Sequence, residues 1–325
     1  MHRFRWLIFS VFVLFLLVIL AGVTVRVLDA GMGCPDWPTC YGQLIPPTHE
    51  SQLPSDYRHR FAVGGRLAEP FDPLKTWAEY INRLISVIAG IAVIFTTGYA
   101  WLYLRGHSKV LLYTTAIPVL LIIQALLGWR VVATYLASDM VTIHMLFSLL
   151  LTLCALLSWA HTFQLEPRGD LKELAGYYWL GWAAMGLLTI QIIIGASLRA
   201  IVTEKGFEAG IDTITFFIHR SFSWFVLGTW AYYHWRLFRE PTRQPFARRW
   251  AMLTTISLAL QVMIGAFMSY ITFSSVAKVA HLWLALFSFN AGFVSLFFFR
   301  NSTYGGTYQP ISHPFTEASS PNPTH

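Results

Sequence analysis

The sequence predicts an all-α integral membrane protein, eight transmembrane helices arranged as two pseudo-repeated four-helix bundles. Mean hydropathy is +0.53, and only 12% of the 325 residues are charged, outside the balance of ordinary soluble domains. Eight apolar stretches, roughly 6–27, 80–104, 110–131, 140–161, 174–198, 215–236, 250–271 and 280–300, approach the ~20 residues a bilayer core asks of a helix. Polar residues within them recur at a fixed offset. Gln124, Gly128 and His144 return as Gln261, Gly265 and His281, 137 positions later (261 − 124, 265 − 128, 281 − 144).

Lipid admits helices or closed barrels, because backbone polar groups must be satisfied internally. The runs do not alternate in polarity, so helices are expected. The first has a basic start at Arg3 and Arg5. Its long apolar run lacks an obvious small-residue cleavage site, so it is expected to remain as a span rather than leave as a signal peptide. A long outer loop, about 28–79, follows it, rich in Pro, Gly and charge. Later outer loops are short apart from about 199–214, and 301–325 reads as a disordered cytoplasmic tail. Inner segments carry Arg3, Arg5, Arg105, Lys109, Arg168, Lys172, Arg236, Arg239, Arg243, Arg248, Arg249 and Arg300, whereas the short outer loops carry Arg130, Arg199, Lys205 and Lys278. This bias places both termini in the cytoplasm of a bacterial-type inner membrane. It also accounts for a pI near 9.4 without nucleic acid as a partner; membrane lipid is the expected surrounding.

The 137-residue offset also carries Arg83 onto Arg220, Ser86 onto Ser223 and Asn82 onto His219. Gly22, Thr24 and Arg26 align with Gly195, Ser197 and Arg199 at an offset of 173, and the excess of 36 (173 − 137) is the extra length of the first outer loop. The expected halves are 1–162 and 174–300.

Asn82, His144, His219 and His281 all fall at the outer start of a span. Histidines there are suited to axial ligation of heme iron, and four-helix bundles hold cofactors between facing helices. A single membrane histidine is as readily a hydrogen-bonded packing residue; three at repeat-matched positions favour ligation. His219 and His281 would supply both axial bonds in the C-terminal half. The Gln-x-x-x-Gly pattern at Gln124/Gly128, Gln191/Gly195 and Gln261/Gly265 puts both residues on one helix face, for packing and for lining a pocket.

Arg83 and Arg220 each follow a ligand position, where an arginine calls for an anionic partner. Heme propionates and outer lipid phosphates both qualify, and the same two readings apply to Arg26 and Arg199. Glu79 shares a helix face with Asn82 and Arg83. It is read either as a proton acceptor or charge stabiliser or as an intrahelical partner of Arg83; its counterpart is Phe216. Cys34 and Cys40 lie on the oxidising side, where a disulfide is expected, with a structural clip and redox exchange both open. Cys154, within a helix, reads as a core residue.

Together these stretches resemble the heme A synthase family: GVTVRVLDAGMGCPDWPTCYG at 22–42, KTWAEYINR at 75–83, QALLG at 124–128, the His144 helix, QIIIGASLRA at 191–200, IHR at 218–220, QVMIG at 261–265 and His281. The resemblance implies heme b held by His219 and His281, and heme O received by the N-terminal half. The implied chemistry is oxidation of a porphyrin methyl to a formyl group through hydroxylated intermediates, with oxygen derived from water. Glu79 and His144 would be the catalytic positions, with Arg83 and Arg220 at the cofactor periphery. Heme O synthase and the cytochrome c oxidase assembly machinery are the implied partners, with an unidentified electron acceptor. The sequence departs from the family at Asn82, where many members have histidine in Glu-x-x-His-Arg. A carboxamide is a poor iron ligand, which leaves His144 alone in that half. Two other functions fit some of these features: a di-heme b-type electron-transfer subunit, and a non-enzymatic heme carrier or oxidase assembly factor.

Overall fold

In the computed structural model, residues 1–163, 171–239 and 245–300 are described, and all long elements among them are helices. They are α1 (His2–Val27), α2 (Tyr57–Arg60), α3 (Pro73–Tyr103), α4 (Ser108–Ala133), α5 (Ser138–Ala160), α6 (Leu171–Lys205), α7 (Phe207–Ile211), α8 (Ile214–Arg239), α9 (Pro245–Tyr270) and α10 (Ser275–Arg300). Each predicted stretch is a helix. Seven of them, α1, α3, α4, α5, α6, α9 and α10, are long and apolar enough to cross a membrane, and the chain is a multi-pass membrane protein. The eighth, α8, has the length but not the composition, since His219, Arg220, His234, Arg236 and Arg239 interrupt its apolar surface. The expected tail, 301–325, lies outside the described residues, as do Arg168, Arg243 and the side chain of Lys172.

Local signals set the helix ends. The Asp72 side chain accepts from the amides of Leu74 and Lys75 (2.9 and 3.2 Å), and Pro73 occupies the first turn. Both are strong N-terminal devices. They start α3 seven residues before the predicted 80, so Glu79 belongs to a helix and the outer loop spans 28–72. Pro118 sits inside α4 without ending it; neighbouring helices can compensate a lost backbone bond in a membrane bundle.

α1 packs on α3, α3 on α4, α4 on α5, and α5 back on α1. α6 packs on α8, α8 on α9, α9 on α10, and α10 back on α6. α10 also meets α1 and α5, and α5 meets α6. The first set encloses a core of Phe4, Ile8, Val11, Val93, Val110 and Ile117; the second encloses Leu188, Val226, Trp230, Tyr233, Leu296 and Phe298. Outward faces carry exposed apolar side chains such as Ile88, Ile91, Ile94 and Phe95 on α3, as lipid contact requires. A third, small core lies in the outer loop, where Tyr41 and Tyr57 pack beside Cys34 and Cys40. Burial, then the neighbouring Tyr57, pushes the Tyr41 phenol up to about 12, so this core stays uncharged.

Candidate functional site

At each expected ligand position, a glycine on one helix faces the ligand residue on the next. A Cβ built on Gly22 of α1 meets the Asn82 carboxamide of α3 at 3.8 Å. One on Gly128 of α4 meets His144 Cε1 of α5 at 3.3 Å, and one on Gly265 of α9 meets His281 Cε1 of α10 at 3.5 Å. The tightest is Gly195 of α6, whose Cβ would lie 2.9 Å from His219 Cε1 of α8. Here a side chain would press on the imidazole, so one of the two would have to shift.

The glutamine one turn earlier holds the same ring in two cases. Gln191 Nε2 donates to the His219 carbonyl (3.0 Å) and lies 3.2 Å from His219 Nδ1. Gln124 Nε2 donates to the His144 carbonyl (3.1 Å) and lies 3.3 Å from His144 Nε2. Gln261 departs from the pattern and donates instead to Ser288 Oγ at 2.8 Å. His219 and His281 face each other with ring centroids 6.4 Å apart at 62°. A metal–imidazole bond is about 2 Å and the ring nitrogen lies about 1 Å from the centroid, so two rings sharing one ion sit about 6 Å apart.

Five buried polar atoms of this ladder have no hydrogen-bond partner among the described residues: Asn82 Oδ1, Gln124 Oε1, His144 Nδ1, Gln191 Oε1 and His281 Nδ1. Buried polar groups are rarely left unsatisfied, and these fall at the positions a ligand would complete. The residues therefore fit a heme: two facing imidazoles in the C-terminal half, and one imidazole, His144 against Gly128, in the other, where Asn82 sits against Gly22.

Glu79 is 5% exposed. Its Oε1 accepts from Arg83 Nη2 at 2.6 Å, and its Oε2 accepts from the Cys34 amide at 2.9 Å. The intrahelical pair read from the spacing is present. Arg83 itself is directed at the outer loop, not at an open pocket. Its Nη1 donates to the carbonyls of Asp36 (2.6 Å) and Thr39 (2.9 Å), and its Nη2 donates to that of Cys34 (2.7 Å). Phe216, opposite in the repeat, has no such loop; there Arg220 is exposed, donates to the Tyr270 hydroxyl at 2.9 Å and stacks on Phe217.

Cys34 and Cys40 form a disulfide, and both are buried, at 0% and 1% exposure. The seven-residue ring is ordered by Asp36, whose carboxylate accepts from the Thr39 hydroxyl and from the Tyr41 and Gly42 amides. Gly33 presses on the first turn of α3, where a Cβ would lie 2.6 Å from the Lys75 carbonyl, and its own carbonyl accepts from the Thr76 hydroxyl at 3.0 Å. Sequence reasoning singled out the cysteines on one hand and the Glu79–Arg83 pair on the other. It did not bring them together, nor did it find Asp36, although an aspartate inside a short cysteine-closed loop is a turn-forming signal.

Comparison with known proteins finds relatives by sequence. A Shewanella oneidensis protein named heme A synthase is 35% identical over 207 residues, covering 64% of this chain and 58% of that protein. One from Erythrobacter litoralis with the same name is 24% identical over 295 residues, covering 79% and 80%. One from Bartonella quintana, also so named, is 23% identical over 213 residues, covering 62% and 58%. The chain thus spans rather more than half the length of the first of these relatives. Residues 4–291 match the COX15-CtaA family, described as cytochrome oxidase assembly protein, and with nearly the whole helical portion matched the chain belongs to that family.

Proposed function

We propose that this protein is a heme A synthase, an oxidoreductase that converts the methyl group of heme O to the formyl group of heme A. The observation that carries this is the glycine-seated ladder, with histidine at three positions, asparagine at the fourth, and Glu79 on one side only. Family membership and the names of the relatives support it.

The two packed rings of helices support a reading as pseudo-repeated four-helix bundles, with α8 as the eighth span among charged and aromatic neighbours and both termini cytoplasmic. His219 and His281 would hold the iron of heme b, which would supply electron transfer. His144 would hold the iron of heme O from one side. Asn82 offers no strong bond to the other face, so substrate can enter and product can leave without displacing a second imidazole. Oxidising a methyl to a formyl group with water as oxygen source releases four electrons and four protons, so an electron acceptor is needed. Glu79 lies one turn from Asn82 on α3. Its carboxylate is fixed by Arg83 and by the Cys34 amide, where it can stabilise developing positive charge or take up a proton. In this reading Arg83 is a positioning residue and the Cys34–Cys40 loop a structural clip over Glu79. Heme O synthase would supply the substrate, and assembly of cytochrome c oxidase would use the product.

Heme chromatography of cells that make heme O together with each variant tests this. Glu79→Ala and His144→Ala should each abolish heme A formation while the low-spin heme b spectrum persists. Normal heme A from both variants would move catalysis elsewhere. Heme b alone, even with the unaltered chain, would favour an electron-transfer subunit.

A further inference from the structure

We propose that the outer mouth between the two halves is a carboxylate-binding pocket, in which Arg26 and Arg66, with the positive charge of Arg199 nearby, receive the acidic edge of a porphyrin bound in the N-terminal half. This rests on the heme reading above and extends it to residues away from the ligand positions.

A cavity of about 680 Å³ lies between the ends of α1 and α6, the α4–α5 turn and the outer loop. That is within the roughly 300–1,000 Å³ of small-molecule sites. Arg26 and Arg66 line it. Arg199, the repeat counterpart of Arg26, lies within electrostatic reach of Arg26 and Asp29. Arg199 does not line the cavity itself but adds positive charge near Arg26.

None of the three guanidinium groups makes a hydrogen bond or ion pair among the described residues, and Arg66 only stacks over the Tyr135 ring at 4.8 Å. Arg26 and Arg199 are half-buried and Arg66 is exposed; a half-buried arginine at a membrane boundary calls for an anion, and a guanidinium fork matches a carboxylate. The acidic residues nearby do not balance them. Glu69 is already engaged by the Tyr135 hydroxyl (3.2 Å) and by Lys75 (4.0 Å), which leaves Asp29 and Glu204 beside Arg26 and Arg66 in the lining, with Arg199 a third positive charge near Arg26.

Helical register connects the cavity to the ligand positions. Arg26 lies four residues beyond Gly22, on the same face and about 6 Å further out, and Gly22 packs on Asn82. Ser138, at the rim, precedes His144 on α5 by about 9 Å. Arg83, expected from sequence to meet such carboxylates, is taken up by the loop. Asp29, Tyr135 and Leu136, all lining the cavity, hold left-handed backbone conformations with φ of 51°, 54° and 61°. Such strain persists where the surroundings enforce it, and it gathers at functional sites.

The test is an absorbance titration of the full-length protein in detergent with ferric protoporphyrin IX and, separately, with its dimethyl ester. The free acid should bind at least tenfold more tightly than the ester. Arg26→Gln and Arg66→Gln should each weaken the acid roughly tenfold and leave the ester unchanged, while Arg26→Lys should keep part of the preference. His144→Ala should remove the N-terminal component for both ligands; if it does not, the heme reading itself fails. If His144→Ala removes that component but the Arg26→Gln/Arg66→Gln double variant keeps the acid-to-ester ratio, the pocket assignment is overturned. The same unchanged ratio with less phosphatidylglycerol co-purifying would give the arginines to a lipid phosphate, against the proposal.

Discussion

Replacing Gly195 by alanine should empty the C-terminal heme site, whereas replacing Gly265 should leave it filled. Both substitutions favour the helix itself, since alanine is the better helix former by about 1 kcal/mol, so any loss must come from the new methyl group. Carbon atoms settle at about 3.5–4.0 Å. The Gly195 Cβ would lie 2.9 Å from His219 Cε1, so one of them must give way by at least 0.6 Å (3.5 − 2.9). The corresponding figures are 0.2 Å for Gly128 (3.5 − 3.3) and nothing for Gly265, already at 3.5 Å. His219 cannot yield freely, because Gln191 holds both its carbonyl and its Nδ1. Overpacking costs about 1–3 kcal/mol and a weakened hydrogen bond about 1 kcal/mol more. A total of about 2–4 kcal/mol is roughly a 30- to 700-fold loss of heme affinity. The assay is heme occupancy of purified protein, read from the low-spin b-type absorbance per polypeptide. Gly195→Ala should show little absorbance, Gly128→Ala should leave this centre intact, and Gly265→Ala should match the unaltered protein. Equal losses at Gly195 and Gly265, or full occupancy in Gly195→Ala, would refute the idea that these glycines seat the ligand rings.

Three further outcomes are expected. Arg83→Ala leaves Glu79 buried with no positive charge beside it and frees three loop carbonyls; breaking a buried pair of this kind costs about 3–5 kcal/mol, so the outer loop should become the first site of limited proteolysis, whereas Arg220→Ala, at an exposed position, should not alter the cleavage pattern. Asn82→His should create a second low-spin heme centre, visible as added absorbance per polypeptide, and should slow product release; an unchanged spectrum would argue that position 82 does not face iron. Cys34 and Cys40, fully buried in the small loop core, should resist alkylation and external thiols in the folded protein and react only after denaturation with reductant; rapid native reduction would instead favour redox exchange.

The amino-acid pattern alone determined the helices and the matched polar positions. Apolar runs of membrane length admit few other structures, and a repeat offset needs only counting. It also singled out His144, His219, His281 and the lone Asn82, because imidazole among apolar residues is expensive without a task. What it left open were choices between partners distant in sequence. Glu79 had two readings, and only packing of residues 33–42 onto the first turns of α3 put the Cys34 amide on one of its oxygens and Arg83 on the other. Arg83 and Arg26 looked alike as candidates for an anion; three-dimensional contacts satisfied the first with loop carbonyls and left the second at an open cavity. Gln261 shared its pattern with Gln124 and Gln191 yet turned to Ser288. The start of α3 was missed because apolar content marks where a helix meets lipid, whereas its true end was set by the Asp72 cap and Pro73 outside that region. Periodicity reports which face a residue occupies; which neighbour satisfies its charge or hydrogen bond is settled only when separate helices and the loop close around it.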